Sequence, residues 1–357
     1  MGFTFNFPSY TVGQDAYNYI EEVCLKYGKK AVIIGGKTAL EKAKPYLESS
    51  LIKSKIEVVD YLWYGGEASR ENAKMLSETK AVEEADMIFA VGGGKAIDTC
   101  KEVHIITSKP LFTFPTIAST CAAATQIAIM YYPNGESRET LKMDRPPIHV
   151  FINTEIIANA PDKYLWAGIG DTLAKNYEVT FSCRGRKLDY LNSMALQLAP
   201  LTSEPLIKYG IQAYEDVKKN ECSLELEEVI LGIIISTGYV SILVDNQFNT
   251  ALAHAMYYGF TLVDEVKESH LHGEVVSYGV LVQLMLDKDM DELKKVYEFN
   301  KSLNLPVCLK DLGIHVDHKD LDKAILKAKN NKGLNIVPYP ISEEMIKEAI
   351  VSLENYN

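Results

Sequence analysis

The sequence predicts an α/β amino-terminal half built on a parallel sheet, followed by an all-helical carboxy-terminal half. Three observations predict this. Short apolar runs alternate with helix-spaced stretches up to about residue 115, as in successive β-α-β units. One of those runs, Met87–Val91, passes straight into Gly92-Gly93-Gly94. After about Asn153 the strand pattern stops, and helical spacing continues to the end of the chain. A length of 357 residues suits two domains, which we place at 1–155 and 156–357.

The elements follow in order. Asp15 to Tyr27 carries apolar residues at helical spacing and stops at Gly28. Ala31–Ile34 is a continuous apolar run, typical of a strand buried on both faces. A helix is expected from Thr38 to about Leu47, a strand at Ile56–Val59 and a helix at Ala68–Glu84. Met87–Val91, Leu111–Phe114, Ile127–Tyr132 and Ile148–Ile152 are further strands, with a polar loop or hairpin from Pro133 to Pro147. In the second half, Met345, Ile346, Ala349, Ile350 and Leu353 share one helical face behind Ser342 as N-cap.

Composition narrows the function classes. Hydrophobic residues make up 47% and charged residues 24%, as in ordinary soluble globular proteins. A net charge of −11 and the lack of a basic stripe argue against a nucleic-acid partner. The six cysteines are scattered without a CxxC pair, and no signal peptide is evident, so a reducing cytoplasm is expected. The apolar run Val229–Val244 is 16 residues long and interrupted by small polar residues. It is expected to be a buried core helix rather than a membrane span.

Several residues suggest chemistry. His254 and His272 lie 18 residues apart on apolar-flanked segments, each followed by a glycine (Gly259, Gly273) expected to make a tight bend. Asp171, behind Gly168 and Gly170, is expected near a helix start. Two imidazoles and a carboxylate make a three-ligand metal site with one position open. Two blander readings stand beside it: a histidine satisfied in the core, and an aspartate capping a helix. Gly92-Gly93-Gly94-Lys95, at a strand-to-helix turn, suits a phosphate, because its backbone N–H groups are accessible there. It is not the GxGxxG fingerprint. Gly36-Lys37-Thr38 lacks the upstream glycine of a P-loop, since position 31 is Ala31. Thr116 and Ser119–Cys121 follow a strand end and suit a ligand crevice.

Together, Gly92-Gly-Gly-Lys-Ala-Ile-Asp98, Phe114-Pro-Thr-Ile-Ala-Ser-Thr120, Gly168-Ile-Gly-Asp171, His254 and His272-Gly-Glu274 resemble the glycerol dehydrogenase group of the metal-dependent, iron-containing alcohol dehydrogenase superfamily. The similarity runs from about Tyr10 to the last helix. It implies a dehydroquinate synthase-like architecture: an α/β dinucleotide-binding domain, a helical metal-binding domain and a cleft between them. It implies NAD or NADP along Gly36, Gly92, Gly93, Gly94, Lys95, Asp98, Thr116 and Ser119, with Thr125, Ile127 and Tyr131 lining the same site. It implies zinc, or alternatively iron, held by Asp171, His254 and His272, which are then the catalytic residues. A metal there lowers the pKa of a bound hydroxyl, and the nicotinamide takes the hydride. The expected partner is a small alcohol or hydroxy acid, with no membrane, in a homo-oligomer.

The chain departs from the resemblance in three places. Cys121, in the substrate position, replaces an aspartate of glycerol dehydrogenases and is similar to a branch acting on 2-oxo and 2-hydroxy carboxylic acids. Gly36 with Lys37 replaces an acid that would repel a 2′-phosphate, so NADP stands beside NAD. Lys175 and Met256-Tyr257-Tyr258 stand where relatives carry further histidines. Lys175 is expected to pair with Glu178, or else to hold a substrate carboxylate. A glycerol-1-phosphate dehydrogenase and a dehydroquinate synthase-like lyase are the remaining alternatives, and both call for phosphate-binding basic residues that are not evident.

Overall fold

A computed structural model describes residues 4–356. The strands are β1 (Ser9–Gly13), β2 (Lys30–Gly35), β3 (Glu57–Trp63), β4 (Met87–Gly92), β5 (Leu111–Pro115), β6 (Ile127–Tyr131), β7 (Ser137–Lys142) and β8 (His149–Asn153). In the first part of the chain the helices are α1 (Ile20–Cys24), α2 (Lys37–Leu51), α3 (Arg70–Ser77), α4 (Lys80–Glu84), α5 (Gly94–Thr107) and α6 (Thr154–Ala158). They continue as α7 (Lys163–Cys183), α8 (Tyr190–Leu198), α9 (Pro200–Lys218), α10 (Leu224–Leu231), α11 (Thr237–Leu243) and α12 (Leu252–Phe260). The last are α13 (Asp264–Ser269), α14 (His272–Asp287), α15 (Met290–Ser302), α16 (Leu321–Lys329) and α17 (Glu343–Glu354). Among the described residues no strand follows Asn153.

Six strands form one parallel sheet in the order β1-β8-β5-β4-β2-β3. The continuous apolar runs of β2 and β4 lie inside it, with Ile33, Ile34, Phe89 and Ala90 fully buried, as strands covered on both faces must be. Phe114 stacks on Phe151 at 4.8 Å between ring centroids, and Tyr17, Ile20 and Leu47 pack into the same core.

Strand β1 is absent from the expected elements. Its polar sequence carries no apolar run; it pairs with β8 from Ser9 to Gly13, and a side-chain tie adds to that ladder. His149 on β8 lies 2.7 Å from Ser9 Oγ through Nδ1 and 2.9 Å from Thr11 Oγ1 through Nε2. The stretch 133–147 contains β7, which pairs antiparallel with β6. The helix expected over 68–84 is broken at Glu78–Thr79, where Thr79 caps α4 by accepting from Val82 N–H. Asp15–Tyr27 is helical but mixed, with 3-10 turns on either side of α1. Ser342 does cap α17, accepting from Met345 N–H.

Two compact units divide the chain. One comprises residues up to Asp162 together with Glu215–Ile242; the other comprises Lys163–Tyr214 and the chain from Leu243 onward. The division expected at 155/156 therefore lies seven residues early, and α10 and most of α11 belong with the sheet. The apolar run is longer than its sequence suggested. Leu224–Leu243 is helical throughout, with a π-helical turn at Gly232–Ser236, and is long and apolar enough to cross a membrane. Two thirds of its most apolar 18-residue window is buried in the fold, including Val229, Ile230, Ile233 and Ile234, as in a core helix.

Candidate active site

The second unit brings Asp171, His254 and His272 together. Asp171 lies on α7, His254 in the first turn of α12 and His272 at the start of α14. One ligand atom from each falls within 4.8 Å of the others. His272 Nε2 is 3.0 Å from Asp171 Oδ1, and His254 Nε2 is 3.5 Å from the same oxygen. That oxygen is buried, and beyond these two imidazoles it has no hydrogen-bond partner. A buried carboxylate oxygen facing two imidazole nitrogens could hold a divalent metal ion, so these residues fit the metal that the resemblance implies.

The surrounding charges agree. Burial opposes the ionisation of Asp171, yet the imidazoles of His272 and His254 hold its carboxyl well below the usual carboxylate range. Burial would lower the pKa of His254, but Glu178 and Asp171 push it up to about 10.

The glycines act differently from the expectation. Asp171 sits well inside α7, not at its start, and Gly259 and Gly273 lie within helices, not at bends. They are crossing points. A Cβ on Gly273 would stand 1.8 Å from Ala167 O, and one on Gly170 would stand 2.5 Å from Gly273 O. Only bare backbone lets α7 and α14 approach closely enough to set His272 beside Asp171.

Two neighbours also differ. Lys175 does not pair with Glu178; its Nζ donates to Asn249 Oδ1 at 2.7 Å and to Asn249 O at 3.1 Å. Glu178, fully buried, instead lies with Oε2 2.6 Å from His254 Nδ1. The i,i+7 spacing from Asp171 puts Glu178 on the same helix face, a signal already present in the sequence. The ring of Tyr257 packs edge-on against His272, with centroids 4.1 Å apart.

In the first unit, the carboxyl ends of β2, β4 and β5 gather the glycine-rich residues. Gly92 pairs with Pro115 across β4 and β5, and Thr116 N–H donates to Gly92 O. Gly93 caps α5, whose first residue is Gly94, and Gly36 caps α2 at the end of β2. Ligands bind at this edge of open parallel sheets. Ser119 and Cys121 are half-buried on the loop after β5.

Lys95 Nζ pairs with Glu67 at 2.7 Å and lies over the Tyr131 ring. Asp98 is turned inward. It pairs with the fully buried Lys101 at 2.9 Å and accepts from Ile129 N–H at 3.0 Å. Lys101 also donates to Thr125 Oγ1 and Ile127 O. Asp98, Thr125 and Ile127 thus belong to one buried pin that fastens the β6–β7 hairpin to α5. Neither Lys101 nor Glu67 was singled out from the sequence, where each reads as a surface charge.

Known proteins share this organisation. Residues 8–152 match the family model for iron-containing alcohol dehydrogenase. A glycerol dehydrogenase of Thermotoga maritima is 33% identical over 98% of this chain and 96% of its own. A hydroxycarboxylate dehydrogenase A of Escherichia coli is 28% identical over 92% of this chain and 90% of its own. The structure of a probable glycerol dehydrogenase from Sinorhizobium meliloti superposes with a TM-score of 0.82 at 26% identity, covering 99% of this chain and 98% of that one. The chain belongs to the iron-containing alcohol dehydrogenase family and is an alcohol oxidoreductase of glycerol dehydrogenase type.

Proposed function

We propose that the protein is a metal-dependent NAD(P) oxidoreductase that moves hydride reversibly between nicotinamide and a small alcohol or polyol. The observation that carries this is the buried Asp171 Oδ1 facing His254 Nε2 and His272 Nε2, with no other partner. Asp171, His254 and His272 would hold zinc, or alternatively iron, and leave a coordination position open. A divalent ion there supplies Lewis acidity that makes a hydroxyl more acidic near neutral pH. Burial around Asp171 strengthens that electrostatic effect by excluding water. On the sheet edge, Gly92–Gly94 and the start of α5 would take the cofactor's phosphates. Lys95 follows that turn, with Tyr131 behind it, Thr116 N–H donates to Gly92 O, and Ser119 lies further along the same loop.

NADP stands beside NAD because Gly36 offers no carboxylate, and the Lys37 ammonium rests 4.4 Å from the centre of the Trp63 ring. A second reading, 2-oxo acid reduction, is supported by Cys121 and by the relative named hydroxycarboxylate dehydrogenase A. A homo-oligomer working in the cytoplasm, without nucleic-acid or membrane partners, completes the proposal.

The test is nicotinamide absorbance with NADH or NADPH, zinc or ferrous iron, and either dihydroxyacetone or 2-oxobutanoate. Turnover is expected in the wild type, with loss of both bound metal and turnover in Asp171→Asn and His254→Ala. Full activity in either variant would sink the proposal.

A further inference from the structure

We propose that Glu178 is the positioning residue of this centre: it fixes His254 in the tautomer that turns a bare Nε2 towards a cation, and it anchors the helix that carries the ring. The inference rests on the metal reading above and adds a residue that the reading does not require.

The geometry is specific. Glu178 stands on α7 on the same face as Asp171 and is fully buried. Its Oε2 lies 2.6 Å from His254 Nδ1. Its Oε1 accepts from Ala251 N–H at 2.7 Å and from His254 N–H at 2.9 Å. Helix α12 has no side-chain cap of its own, because Ala251 occupies the N-cap. Glu178 supplies that cap from a neighbouring helix, and Gln283 on α14 adds to it by accepting from Leu252 N–H at 3.1 Å. Lys175, between the two acids on α7, grips Asn249 just upstream. One face of α7 thus provides a ligand, a grip on the incoming loop and the support for a second ligand.

The chemistry then follows. A carboxylate only accepts hydrogen bonds, so the imidazole proton resides on Nδ1. In the neutral ring that ligates a cation, the Nε2 lone pair is left free, on the side where Asp171 Oδ1 lies 3.5 Å away. A carboxylate behind a ligating imidazole also raises its basicity. The other imidazole is backed differently: His272 meets the edge of the Tyr257 ring, and its side chain is 38% exposed against 15% for His254. Of the two imidazoles, His254 is the pre-organised ligand.

Glu178→Gln separates positioning from capping. With its oxygen towards Ala251 and His254 N–H, the amide keeps the cap but turns its NH2 on Nδ1. An NH2 group only donates, so the ring must move its proton to Nε2, where it blocks the metal. The reverse orientation sets NH2 against two backbone donors.

We would measure zinc affinity by chelator competition for the wild type, Asp171→Asn and Glu178→Gln, together with the melting temperature of each metal-free protein. One tight zinc is expected in the wild type and none in Asp171→Asn. Glu178→Gln is expected to melt near the wild type yet bind zinc roughly ten- to a hundredfold more weakly. A wild type without zinc or iron at this centre removes the metal reading, and this inference with it. A wild type that binds zinc with a Glu178→Gln that binds it equally well overturns this inference alone. If that variant does not fold, histidine ¹⁵N spectra of the zinc-loaded wild type decide: a proton on Nδ1 of His254 is expected, and a bare Nδ1 overturns the proposal.

Discussion

Cys121 is half-buried on the loop between β5 and the short turn Ala122–Ala124. A thiol accepts hydrogen bonds weakly, whereas a carboxylate accepts strongly from hydroxyls and repels an anionic substrate. Cys121→Asp is therefore expected to shift the ratio of kcat/KM for dihydroxyacetone over 2-oxobutanoate upward by roughly ten- to a hundredfold, one charged hydrogen bond's worth. An unchanged ratio would place Cys121 away from the substrate. At this scale the sequence revealed residue types but not their partners. Asp171, His254 and His272 are recognisable as possible ligands because few other side chains bind metals. Glu178 was visible as an acid, but its i,i+3 spacing from Lys175 made a surface ion pair the simpler reading. The choice between that pair and His254 is made by the packing of α7 against α12, which spacing along one helix cannot report.

At the scale of elements, the continuous apolar strands were legible because burial on both faces removes every polar residue from them. β1 was not, since its sequence is polar and its partner strand β8 lies 140 positions further along the chain. The glycines beside the candidate ligands mark helix crossings, not the bends that their sequence context suggests. Glycine marks turns and close helix crossings alike, and only the crossing partner tells them apart. The crossing of α7 and α14 gives a sharp expectation. Gly273→Ala forces a methyl group into the Ala167 carbonyl, an overpacking that costs about 1–3 kcal/mol. The two helices must part, and His272 moves with α14. Both the melting temperature and zinc affinity should fall; zinc affinity at the wild-type level would show that α14 does not set the ligand geometry.

Across the whole molecule, pH should act on stability through the tie between β1 and β8. Burial, with a smaller contribution from Lys26, lowers the pKa of His149 from 6.5 to about 4. Above 6.5 the residue is neutral whether the chain is folded or not. Between 6.5 and 4 the unfolded chain binds a proton that the folded one refuses, so stability falls as pH falls, by about 3 kcal/mol at most. Below 4 the effect levels off. Urea unfolding midpoints measured across this window should slope in the wild type, and the His149→Gln curve should lack this contribution. Equal slopes would show that His149 is not buried as a neutral ring.

The sheet-bearing unit also has a history written into its connectivity. Its last segment, Glu215–Ile242, comes after more than fifty residues that belong to the other unit. On the ribosome, all six strands emerge well before Leu226, Ile230, Ile233 and Ile234, which complete the buried apolar surface. At ~5–20 residues per second the wait from residue 155 to 242 is roughly 4–17 s. During synthesis the sheet-bearing unit must remain unfinished, with apolar surface open to chaperones, until more than eighty residues beyond its last strand have been made.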